Sequence, residues 1–177
     1  MKHSVEAILL AASMLAASIA QGQQTKAPLP DLLPENSFVS FTKERMKVSA
    51  YLGCTNPRIN EGSKDYGALY SCIGGKAETV KFFVNERPNS GGKVKNVKFL
   101  WNDYTKDVGY GVHADAAVAK RWAMHLADMY APDKSKEVLR AFAGKKNQII
   151  EGATHVLEYT YHRGPAADER MYVVTKK

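Results

Sequence analysis

The chain is 177 residues long, with 45% hydrophobic and 24% charged residues and a formal net charge of +7. That length suits one domain with a genuine core, and the sequence has no internal repeat and, beyond residue 36, no low-complexity segment or membrane-spanning apolar run. The positive balance favours acidic partners or serves solubility alone, since the lysines are spread along the chain and form no long run.

Residues 1–20, MKHSVEAILLAASMLAASIA, read as a signal peptide. Lys2 gives a positive start, and the uncharged run 7–20 is shorter than the about 20 residues a bilayer-spanning helix needs. Ser18 and Ala20 place small residues before a cleavage site at Gln21. Glu6 departs from the pattern, and the competing reading is an uncleaved N-terminal helix. Residues 21–36, rich in Gln and Pro, read as an extended linker. That leaves 37–177 as a single domain of an exported protein, periplasmic by expectation.

Ser37 is the expected N-cap of a helix running to about Leu52, with Phe38, Phe41, Val48 and Leu52 on one stripe and Gly53 closing it. Arg45 falls inside that stripe. A buried arginine needs a partner, so its guanidinium either snorkels to water, meets a carboxylate such as Glu158 or Asp103, or ends a ligand pocket.

Cys54 follows this helix, and Cys72 lies in the next element. Their spacing is not CxxC, and neither has the cysteine or histidine neighbours that zinc requires. In an oxidising compartment the expectation is a disulfide clamping helix to strand.

Period-two alternation then takes over. GALYSCIGG, AETVKFFVNE and VKNVKFLWND read as three successive antiparallel strands, the last two joined by the loop RPNSGGK. Lys81, Asn85, Asn96 and Lys98, with Phe83 and Leu100 among them, are expected on the outward face, and Arg87, Lys93 and Lys95 beside the loop. HADAAVAKRWAMHLADMYAP is the strongest helix, with Val118, Trp122, Leu126, Met129 and Tyr130 as its apolar face and Pro132 as its stop. KSKEVLRAFAG is a shorter helix, and HVLEYTYHR and RMYVVT are two final strands. The predicted class is α+β, a mostly antiparallel five-stranded sheet with helices packed on one face, in the order α-βββ-αα-ββ.

No common catalytic or phosphate-binding signature occurs. His125, with Arg121 at i−4 and Asp128 at i+3, is a weak candidate for a general base, against an ordinary helix-surface network. His113 and Asp115 flank the start of the same helix and read as capping residues. His155 and His162 fall on opposite strand faces, so no metal site and no cofactor is expected. Tyr159, Tyr161 and Tyr172 form either core packing or a sugar-stacking platform.

The sequence thus predicts a binding or interaction module of the bacterial envelope. It would engage a protein or an anionic polymer through a basic sheet face and hairpin, with Lys81, Phe83, Lys95, Lys98 and Arg45 as candidate binding residues. Nucleic acid is not expected for an exported chain. Two alternatives stay open: a small envelope hydrolase using His125, Asp128 and Arg121, and a carrier with Arg45 at the base of a pocket.

Overall fold

The computed structural model describes residues 30–63 and 65–177. The signal peptide and cleavage site expected in residues 1–20, and most of the 21–36 linker, lie outside the described residues. The last linker residues form two short 3-10 turns, Pro30–Leu32 and Pro34–Asn36.

Helix α1 (Phe41–Leu52) begins later than predicted, with Ser40 rather than Ser37 preceding it. Phe38 stands outside the helix at φ 67°, turning the chain so that Ser37 and Phe38 are buried beneath it. Gly53 ends α1 in the left-handed conformation at φ 61°, and the Cys54 N–H donates to the Ser49 carbonyl.

Seven strands follow in one sheet rather than the predicted five. They are β1 (Arg58–Asn60), β2 (Leu69–Gly74), β3 (Val80–Glu86), β4 (Val94–Tyr104), β5 (Gln148–Glu151), β6 (His155–Arg163) and β7 (Ala167–Lys176). Helices α2 (Ala116–Tyr130) and α3 (Ser135–Ala143) lie between β4 and β5. The sheet order is β1-β2-β3-β4-β7-β6-β5 with every pairing antiparallel. The α+β class holds, and the element order is corrected to α-ββββ-αα-βββ. The two additional strands are short edges: β1 is exposed throughout and β5 buries only Ile150. Neither is long enough to display an alternating pattern.

Helices α1, α2 and α3 cover the same face. Trp122 of α2 meets Phe82 edge-on at 6.5 Å, Phe142 of α3 meets Phe99 at 5.6 Å, and Glu44 of α1 accepts from the Tyr130 hydroxyl between helices. Cys54 and Cys72 are joined as a disulfide with a Cα–Cα separation of 5.9 Å, tying the end of α1 to β2. Among the described residues no helix is long and apolar enough to cross a membrane.

Among the described residues the opposite sheet face carries no helix. Along β4 it presents Asn96, Lys98, Leu100, Asn102 and Tyr104, alternating with the buried Val97, Phe99, Trp101 and Asp103.

Candidate functional site: a basic cleft at the hairpin end of the sheet

The β3–β4 hairpin gathers Arg87, Lys93 and Lys95 around one loop, with Glu86 at the end of β3. Its loop closes through an Arg87 N–H to Lys93 carbonyl bond of 2.8 Å, and the Ser90 hydroxyl donates to the Arg87 carbonyl at 2.6 Å while accepting the Lys93 N–H at 3.0 Å. Asn89, Gly91 and Gly92 take positive φ inside this loop. The Gly92 carbonyl accepts the Phe41 N–H at 2.6 Å, which anchors the loop to the first residue of α1.

A bulge then sets the direction of Lys95. Asn85 pairs with Asn96 while Glu86 pairs with Val94, so Lys95 is the extra residue on β4. Val94 stays buried, Asn96 returns to the uncovered face, and Lys95 is left exposed at the corner. From there it lines two clefts. One, of about 200 Å³ on the uncovered face, also touches Tyr66, Asn85, Asn96 and Lys98.

The other is the basic cleft, of about 370 Å³. Its charged lining consists of Arg87, Lys93, Lys95, Lys176 and Lys177, over a floor of Phe38 and Val94 with Thr175 at its edge. The two C-terminal lysines reach the hairpin because β7 pairs with β4 in the middle of the sheet. Lys176 donates to the carbonyls of Ser37 at 3.0 Å and Glu35 at 3.3 Å, and Lys177 stands 3.5 Å from a Glu151 carboxylate oxygen. Among the described residues no salt bridge engages Arg87, Lys93 or Lys95. Cations clustered without acidic partners raise the local positive potential.

The predicted binding residues divide between this site and its surroundings. Lys81, Phe83 and Lys98 share the uncovered face, with Phe83 directly opposite Lys98 and Lys81 opposite Leu100. Lys95 belongs to the basic cleft itself. Arg45 does not join them: it is half-buried on α1 with its guanidinium 6.0 Å from the Phe41 ring, and the charged residues of α1 that are buried are Glu44 and Lys47. Asp103 pairs with Arg170 instead, and Glu158 is exposed on the uncovered face.

His125 packs edge-on against Tyr51 at 5.9 Å, and its Nδ1 is buried without a hydrogen-bond partner among the described residues. Burial lowers its pKa against the opposing pull of Asp128, while Asp128 and Arg121 are exposed. These three residues line none of the clefts described above. Tyr159 and Tyr172 lie in the core with ring centroids 4.9 Å apart, so they form no surface platform.

Two polar clusters on the covered face were not foreseen. In one, Glu44 is 2.8 Å from Lys47, accepts the Tyr130 hydroxyl and the Phe38 N–H, and lies beside His155. In the other, Asp103 bridges Arg170 at 3.3 Å and His113 at 2.7 Å. Arg170 there donates to the Phe142 and Gly144 carbonyls at the end of α3. Both clusters satisfy helix ends and buried charge rather than opening onto the basic cleft.

Compared with known proteins, the chain matches no family model, no curated protein and no solved structure.

Proposed function

We propose that this protein is an exported binding module that holds an anionic polymer in the cleft formed by Arg87, Lys93, Lys95, Lys176 and Lys177. The observation that carries the reading is this clustering of five cations with no acidic residue in the lining. A polymer gains over a single ion because Lys81 and Lys98 continue the positive charge along the uncovered face. Binding would draw on released counterions, so affinity falls steeply with salt. The Cys54–Cys72 disulfide supports an oxidising compartment, and an intact mass beginning at Gln21 in the exported fraction is the expected outcome for the leader.

The test compares heparin with uncharged dextran over a range of salt concentrations. Heparin binds and dextran does not. The triple variant Arg87→Gln, Lys93→Gln, Lys95→Gln keeps its melting temperature, and its slope of log affinity against log salt shrinks by about three. A variant that retains both the affinity and the slope rules the reading out.

A further inference from the structure

At the other end of β4 from the hairpin lies a third cleft, larger than the basic cleft at about 700 Å³ and different in chemistry. Its side-chain lining includes Lys76, Glu78, Lys81, Asn102, Tyr104 and Tyr110. Lys81, Asn102 and Tyr104 come from the uncovered face of the sheet. Tyr110 comes from the connection 105–115 and stacks on Tyr104, with centroids 5.1 Å apart and planes 29° from parallel.

This wall is formed in advance. The His113 N–H donates to the Tyr104 carbonyl at 2.7 Å, and the indole N–H of Trp101 donates to the Ala114 carbonyl at 3.1 Å. The Asp115 carboxylate accepts from the Thr79 hydroxyl at 3.0 Å and from the amides of Thr79 and Ala77 at 3.2 and 3.3 Å. Gly75 allows that approach, since a Cβ there would stand 2.0 Å from the carboxyl carbon. His113 and Asp115 both hold positive φ, 56° and 58°, a conformation that non-glycine residues keep only where their surroundings impose it. Val108, Tyr110 and Val112 of the same connection are 49%, 54% and 52% exposed, and Tyr110 lines the cleft.

A sugar ring matches this combination. One face of a pyranose is a sheet of C–H groups suited to an aromatic ring, and its rim carries hydroxyls that both donate and accept. Lys76 and Lys81 donate, Glu78 accepts, and Asn102 does both. A phosphate would meet Glu78, and a wholly apolar ligand would strip water from these polar groups without replacing it. The volume is of the size that small-ligand sites have, and a preformed wall lowers the ordering cost of binding.

We propose that the Tyr104–Tyr110 cleft is a saccharide-binding site that takes a sugar unit of an oligosaccharide by stacking and hydroxyl recognition. It shares only Lys81 with the path proposed for the polyanion, because Arg87, Lys93, Lys95, Lys176 and Lys177 do not line it.

The experiment is an amide NMR titration of the 15N-labelled protein with triacetylchitotriose, a hyaluronan oligosaccharide, and AMP as a stacking control. A saturable shift at millimolar sugar, confined to residues 76–81 and 102–115, is the expected result for at least one of the two saccharides. Tyr110→Ala weakens that binding about tenfold while Tyr110→Phe retains it. The Arg87→Gln, Lys93→Gln, Lys95→Gln variant leaves triacetylchitotriose binding unchanged. If Tyr110→Ala disorders the connection, Asn102→Ala on the strand supplies the comparison. The proposal is overturned if neither saccharide moves these amides, if Tyr110→Ala or its Asn102→Ala replacement binds as the unaltered chain does, or if AMP saturates the cleft and the saccharides do not.

Discussion

Glu44 and Lys47 are 3% and 4% exposed, and each owes its tolerance of burial to the other. Lys47 also donates to the Ser37 hydroxyl and lies 4.6 Å from the Tyr130 ring centroid. Burial lowers its pKa, and the neighbouring Glu44 carboxylate opposes that shift. Removing one charge strands the other, so Glu44→Gln is expected to destabilise the fold by about 3–5 kcal/mol in urea unfolding. A loss below about 1 kcal/mol would mean that Lys47 reaches water instead. His155 belongs to the same cluster, and burial with the nearby Lys47 lowers its pKa to about 4 from 6.5. The unfolded chain therefore binds the proton more readily than the folded one. The stability this residue contributes is whole above pH 6.5 and drains away as pH falls through 4. Denaturation midpoints across that window should show a shallower decline for His155→Gln than for the unaltered chain. Sequence could not reveal this cluster, because Tyr130 and Glu44 are 86 positions apart and a charged residue on a helix reads as solvated until its partner is placed.

At the scale of elements, what the sequence disclosed follows from length. Trp122, Leu126, Met129 and Tyr130 make a stripe over about two and a half turns of α2, and Val80, Phe82 and Val84 alternate cleanly through β3. β1 and β5 escape such reading because strands of three and four residues offer at most two periods. Both are sheet edges, where brevity limits pairing with other chains. The basic cleft was legible by halves: Arg87, Lys93 and Lys95 adjoin one turn, whereas Lys176 and Lys177 arrive through strand pairing that no local pattern encodes. Tyr110 is hidden for the same reason, since it meets Tyr104 only when the connection folds back. The disulfide is the element-scale restraint with the clearest readout. Reducing it, or Cys54→Ser with Cys72→Ser, is expected to lower stability by about 3 kcal/mol while the far-UV spectrum of the sheet persists. An unchanged urea midpoint after reduction would show that α1 stays seated through packing alone.

Across the whole molecule, the two sheet faces are chemically distinct. One is closed by α1, α2 and α3, and the other is open and divided by sign, with Arg58, Lys81 and Lys98 on β1, β3 and β4 and Glu158 and Glu169 on β6 and β7. On the proposed reading, a polyanion leaves the hairpin along β4 and avoids the acidic half, because crossing β6 would set like charges together.

The strand order also has a consequence in time. β7, which follows β6 in the chain, is seated between β4 and β6 at the middle of the sheet. A nascent chain can form the β1–β4 meander early, but β4 and β6 then keep open flanks until residues 167–176 emerge. Pairing across such sequence distances is slow, so the half-built molecule persists as an unfinished template. Closure waits on residues 167–176, and the compartment that receives them is the one in which the sheet closes.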